Sequence, residues 1–229
     1  MILHKENGPG AWAPVYAHEA HKSSVNSVAW APYELGLALA CGSSDGTLSV
    51  LTHTAGGEWA VQTLHDAPTG VNAVSWAPAH HLGAQVVSST PGSAVAHSGP
   101  QVVRRLASAG CDGMVRVWRA DMSGVWSVEA KLAGSAGWVR DVAWAPAAGS
   151  PVNVIAAAYE EKKVIIWRQT APEGEWQRVD LPAFPAAVWR VSWSLTGALL
   201  AVSCGDNSVT LWAEGNDGQW RQTSEVRDE

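Results

Sequence analysis

Four stretches of the chain alternate apolar and polar residues with period two and share nearly one spelling. They are VNSVAWAP at residues 25–32, VNAVSWAP at 71–78, VRDVAWAP at 139–146 and VWRVSWSL at 188–195. Alternation of that length predicts a β-strand with one face turned to a core. Each stretch is followed by two shorter apolar runs, rich in small and β-branched residues: LACGSSDGTLSVLT from Leu39, LASAGCDGMVRVWR from Leu106, IAAAYEEKKVIIWR from Ile155 and LAVSCGDNSVTLWA from Leu199. The runs are broken at Asp45-Gly46, Asp112-Gly113, Glu161-Lys162 and Asp206-Asn207. Asp-Gly is a strong hairpin signal, because glycine reaches positive φ without a steric penalty and aspartate tolerates it. A third block closes each unit: GEWAVQTL from Gly57, GVWSVEAKL from Gly124, GEWQRVDL from Gly174 and GQWRQTSEV from Gly218. Its alternate polar positions predict an outer strand, partly solvated. Four strands per unit, repeated along the chain, predict an all-β propeller.

The anchoring tryptophans Trp30, Trp76, Trp144 and Trp193 stand 46, 68 and 49 residues apart. Blades of this kind run to about 40–45 residues, so the long interval holds an insertion. It falls at 79–105, where Ala, Gly, Ser, Pro and three histidines show no alternation, and predicts a surface loop. Residues 1–20 match only the last half of a unit: Ile2 and Leu3 take the third strand's apolar positions and Gly10-Ala11-Trp12 opens an outer strand. The expected divisions are a half-blade at 1–20 and blades at 21–67, 68–133, 134–183 and 184–229, which makes the propeller open and incomplete. The 14 Trp against 1 Phe and 3 Tyr follow from the repeat, since a flat ring at the same place in each blade fills each wedge between neighbours.

Composition narrows the function classes. The chain is 47% hydrophobic and 16% charged, with a formal net charge of -6 and no basic run that could neutralise a row of phosphates, so direct nucleic-acid binding is not expected. No basic-then-apolar leader opens the sequence and no segment approaches 18 uninterrupted apolar residues, which predicts a soluble protein not secreted by that route. Cys41, Cys111 and Cys204 are widely separated and form no CxxC pair, so they are expected to be buried thiols, with no metal or other cofactor. Gly42-Ser43-Ser44-Asp45-Gly46 fits the G-x-S-x-G nucleophile elbow, but that motif needs a strand-to-helix turn, and here strands are predicted on both sides. His80, His81 and His97 lack carboxylate or thiolate companions at ligand spacing. No catalytic residue is expected.

His21 and His65 precede the first strands of two blades, where WD repeats, which these units resemble, commonly place a histidine bonded to the hairpin acid of the same blade; the resemblance implies pairing of His21 with Asp45 and of His65 with Asp112. Asp206 is the corresponding structural turn acid of the last blade. The third and fourth blades lack such a histidine, so their turns must be held differently, and Glu161 need not be equivalent to the aspartates.

The linked phrases HKSSVNSVAWAP, LACGSSDG, NAVSWAP, DGMVRVW, WVRDVAWAP, VWRVSWSLTG and LAVSCGDNSVTLW, in this order, resemble the SEC-thirteen family of WD-repeat propellers over nearly the whole chain except 79–105. The resemblance implies a scaffold without catalytic activity. It implies a six-bladed open propeller in the COPII outer coat, completed by a blade donated from an α-solenoid coat subunit. The family also serves the nuclear pore Y-complex with an α-solenoid nucleoporin, and a nutrient-signalling complex at lysosomal or vacuolar membranes. Expected locations are therefore the cytoplasm, the surfaces of the ER and COPII vesicles, and the nuclear envelope. Against six blades, the four and a half here leave about one and a half, on the order of 60–70 residues, unaccounted for at the amino end. The donated blade is expected beside the last blade, against Trp189, Trp193 and Trp212, with Arg190 at the rim. A competing reading is a WD-repeat adaptor that holds peptides on one face of a closed ring.

Overall fold

The computed structural model describes residues 1–79, 103–146, 152–171 and 174–227. They form eighteen strands in five antiparallel sheets. A two-stranded sheet pairs β1 (Ile2–Gly8) with β2 (Ala11–Ala17). The first full blade is β3 (Val25–Trp30), β4 (Ala38–Ser43), β5 (Thr47–His53) and β6 (Trp59–His65). The second is β7 (Val71–Trp76), β8 (Arg105–Gly110), β9 (Met114–Ala120) and β10 (Trp126–Ala133). The third is β11 (Val139–Trp144), β12 (Asn153–Tyr159), β13 (Lys163–Gln169) and β14 (Gln177–Asp180). The fourth is β15 (Val188–Trp193), β16 (Leu199–Cys204), β17 (Ser208–Glu214) and β18 (Trp220–Arg227). Each is a meander in sequence order. Among the described residues the only helix is one 3-10 turn at Tyr33–Leu35, and no helix is long and apolar enough to cross a membrane. The fold is the open propeller that the alternation predicts. The insertion histidines His80, His81 and His97 lie outside the described residues.

The turns between second and third strands show why Asp-Gly recurs. Gly46, Gly113 and Asn207 all have positive φ, and Lys162 takes the same conformation at 63° in the turn that lacks glycine. At Gly113 a side chain is excluded twice over, since an added Cβ would also strike the Ser135 carbonyl.

Each sheet uses both faces. In the third blade, Ile155, Ala157 and Tyr159 point back into a core shared with the second blade. Their neighbours Ala156 and Ala158, with Val164 and Ile166, point forward into a core shared with the fourth. An equivalent core joins the first and second blades through Ala40, Leu48 and Val50 on one side and Val71, Val74 and Trp76 on the other. The two-stranded sheet is fixed by a smaller cluster in which Leu3 meets Leu39, Cys41 and Leu51. Strand periodicity therefore builds a row of sheets in which every internal blade is covered front and back.

Candidate interaction surface

The first strand of each blade carries the side chains that grip the next one. Asn26 donates to the Val71 carbonyl at 2.9 Å, and Asn72, at the same place one blade on, donates to the Val139 carbonyl at 2.8 Å. One residue further, the Ser27 hydroxyl accepts the Val74 N–H and the Asp141 carboxylate accepts the Val191 N–H at 3.1 Å. Two further, the Ala29 carbonyl accepts from Trp76 Nε1 at 2.9 Å and the Ala143 carbonyl from Trp193 Nε1 at 3.0 Å. In the fourth blade these three places belong to Trp189, Arg190 and Ser192, and no described blade stands in front of them.

The same asymmetry appears across the sheet. Register places Val209 of the fourth blade where Val164 stands in the third, and Leu211 where Ile166 stands. Val164 is fully buried and Val209 is 39% exposed; Leu199, in the place of Val154, is also exposed. The forward face of the fourth blade thus repeats an apolar blade-to-blade contact surface that no described residue of another blade covers. The opposite end of the array is open as well, with Val28 and Trp30 exposed where Val74 and Trp76 are buried.

Of the four residues expected to meet a partner, two are exposed and two are turned into the contact with the third blade. Trp189 is 47% exposed, and its ring contact reaches back to the third blade. The Arg140 guanidinium lies 4.7 Å from its ring centroid and 4.8 Å from that of Trp138, a cation–π sandwich across the third and fourth blades. Arg190 is exposed, with its guanidinium 3.7 Å from Asp141. Trp193 and Trp212 correct the expectation, because they turn the other way. Trp193 donates to the third blade's Ala143 and packs on Trp220. Trp212 is buried beside Phe184 in the core shared with the third blade, its Nε1 bonded to Thr210 Oγ1. Period two assigns these rings to one face, but the alternation alone does not say which face looks outward.

The turn acids hold backbone. Asp45 accepts the Thr47 N–H and hydroxyl on one oxygen and the Lys22 N–H at 2.7 Å on the other, with His21 Nδ1 at 3.3 Å. Burial alone would raise its pKa, but these bonds from Thr47 and Lys22 outweigh it and hold the carboxyl well below the usual range. Asp206 accepts the Ser208 N–H and hydroxyl, and Asp112 the Met114 N–H. His65 does not reach Asp112. Strand alternation turns it to solvent opposite Thr47. The buried position goes to Asp66, and Arg116 bridges the two acids, 3.1 Å from Asp66 and 2.5 Å from Asp112. Burial dominates at Asp66 and raises its pKa. Ser44 lies in a turn flanked by β4 and β5, where its hydroxyl accepts from Asn26.

One cluster was not anticipated. His18 and His21, three residues apart, and Cys41, twenty residues further on, bring their ligating atoms within 4.8 Å of one another. Burial pushes the Cys41 thiol up to about 11 and holds the His18 imidazole below its ordinary value. The other two thiols are Cys204, buried, and Cys111, half-buried.

Comparison with known proteins agrees with the repeat. A family model described as "WD domain, G-beta repeat" matches residues 12–50, 59–119 and 178–213. The chain is 43% identical over 234 residues to "Protein transport protein SEC13" of Mycosarcoma maydis, covering 95% of this chain and 64% of that relative. It is 45% identical over 222 residues to "Protein SEC13 homolog" of Drosophila melanogaster, covering 96% of this chain and 60% of the relative. To "Protein transport protein sec13" of Aspergillus clavatus it is 41% identical over 220 residues, 95% of this chain and 71% of the relative. The chain thus spans between 60% and 71% of the length of these relatives.

Proposed function

The chain belongs to the SEC13 family of WD-repeat proteins, and on that footing we propose that it is a structural subunit of the COPII vesicle coat. In this reading it acts in ER-to-Golgi transport, with its open propeller completed by a blade from an α-solenoid coat subunit. The observation that carries the reading is the forward face of the fourth blade, where Trp189, Arg190, Ser192, Val209 and Leu211 repeat the places by which earlier blades hold their neighbours. A surface shaped to hold a blade, with no blade on it, accepts one by sheet-on-sheet packing and specifies it through the side chains that interdigitate.

The printed names of the relatives speak of protein transport, which agrees with a coat role. The same face fits a nucleoporin of the nuclear pore Y-complex or a solenoid of a nutrient-signalling complex, because either would present the same kind of blade. Membrane association then comes through the coat and is peripheral. Recruitment is the activity proposed, with no chemical step and no cofactor in it.

The test is co-expression of this chain with the α-solenoid coat subunit, with and without the subunit's blade-forming segment. Co-elution as one complex only when the segment is present supports the reading. Equal recovery without the segment removes blade donation from it.

A further inference from the structure

We propose that His18, His21 and Cys41 form a zinc site at the seam between the two-stranded sheet and the first full blade. The donors come from two places: His18 and His21 lie in the connection from β2 to β3, and Cys41 is on β4. Their ligating atoms lie within 4.8 Å of one another. His21 Nε2 stands 3.3 Å from Cys41 Sγ, and the His18 and His21 rings meet edge to face with centroids 5.2 Å apart. Zinc bonds of about 2.0–2.3 Å in tetrahedral geometry set donor atoms about 3.3–3.7 Å apart. The His21–Cys41 pair already has that spacing, and the other pairs, within 4.8 Å, would close by up to about 1.5 Å.

The surroundings are those a metal-binding histidine uses. His21 turns Nδ1 toward the Asp45 carboxylate and Thr47 Oγ1, at 3.3 and 3.0 Å. A carboxylate on one ring nitrogen fixes the tautomer and leaves the other, here the nitrogen beside Cys41, as a lone-pair donor. His18 Nε2 lies 3.2 Å from Ser49 Oγ, which orients the second ring. Two imidazoles and one thiolate form a borderline-soft set suited to zinc, with water in the fourth position. Binding is a ligand exchange: the Cys41 S–H bond breaks, its proton leaves to solvent, an S–Zn bond forms, and no redox partner is needed.

The site would do structural work. Among the described residues, the two-stranded sheet is tied to the first blade by the small cluster of Leu3, Leu39, Cys41 and Leu51. A zinc ion on His18, His21 and Cys41 crosses that same seam and clips the sheet in place.

Equilibrium dialysis against zinc and titration with cobalt(II) test the idea on the whole chain, comparing wild type with Cys41→Ser and His18→Gln. Glutamine can keep the Ser49 hydrogen bond while losing the ligand, so that variant separates metal binding from folding. The expected result is one zinc per chain and a cobalt complex with a thiolate charge-transfer band and intense tetrahedral visible bands. Affinity should fall at least tenfold in both variants and stay unchanged in a Cys111→Ser, Cys204→Ser double variant. No thiolate band in the wild-type cobalt complex, no binding at micromolar zinc, or full affinity in either ligand variant overturns the proposal.

Discussion

Trp76 and Trp30 occupy one position in successive blades, and only their neighbours differ. Trp76 is 8% exposed against the first blade and Trp30 is 57% exposed. A tryptophan buries about 150–250 Å² when fully covered, and at about 25 cal/mol per Å² that amounts to roughly 4–6 kcal/mol. Trp30, with more than half its surface in water, keeps about 2–3 kcal/mol or less on the same scale. Trp76 also donates to the Ala29 carbonyl at 2.9 Å, a bond that adds about 1 kcal/mol. Compact unfolded chains lower the absolute values, but the difference between the two positions survives. Trp76→Ala should therefore cost about 3–5 kcal/mol, in the range of large-to-small core truncations. Trp30→Ala should cost at least about 2 kcal/mol less. Urea denaturation followed by far-ultraviolet circular dichroism measures both, provided the slopes match the wild type. Losses equal to within about 0.5 kcal/mol would refute the claim that neighbouring blades, and not the strand itself, give the tryptophan its stabilising role.

Three other outcomes follow from the turns and the buried ions. Asp45 has a folded pKa held below its unfolded value, so its stabilisation is present above about pH 4 and is lost as pH falls through the folded pKa; Asp45→Asn should lose less stability than wild type between pH 7 and pH 3, measured by denaturation at each pH. Arg116→Met strands the fully buried Asp66 carboxylate without its cation and should cost about 3–5 kcal/mol. Asp66 already has a raised pKa, so this variant should recover stability as pH is lowered through that range, with the sign opposite to Asp45; no such recovery would count against an ionised Asp66. Ser44→Ala should leave stability within about 0.5 kcal/mol of wild type, and a serine-directed phosphonate should not label Ser44, as mass spectrometry of the treated chain can check.

The strands and their turns were legible in the sequence because both have local causes. Alternation fixes which residues share a face, and Asp45-Gly46 or Asp112-Gly113 can take few conformations besides a tight hairpin. The tryptophan repeat showed the blades for the same reason. What was hidden depends on relations that the local pattern does not carry. Trp193 and Trp212 are strand residues on a definite face, but only the order of blades in space decides that this face is the covered one. His21 precedes its strand by four residues and His65 by six; that shift sends His65 outward and Asp66 inward, where an arginine replaces the histidine. His18 and His21 stand three residues apart, but Cys41 joins them only through the pairing of β3 with β4, which no local spacing displays. The open forward face was visible in part: Trp189 and Arg190 hold the places from which earlier blades grip the next one, while Val209 and Leu211 emerge only when the third and fourth blades are laid in register.

That face is also where the account is most directly exposed to test. The measurement is the affinity of this chain for the blade-forming segment of an α-solenoid coat subunit, by calorimetry, for wild type, Trp189→Ala, Val209→Glu and Val179→Glu. Val209 lies on the uncovered face and Trp189 is half-exposed on the first strand of the same blade, whereas Val179 is exposed on the outer strand of the third blade. Truncating a central aromatic or burying a charge in such a contact costs at least about 2 kcal/mol, so the first two variants should weaken binding about thirtyfold or more and Val179→Glu should leave it unchanged. Wild-type affinity in Trp189→Ala and Val209→Glu, or a loss in Val179→Glu as large as theirs, would contradict the forward face of the fourth blade as the place where the partner's blade sits.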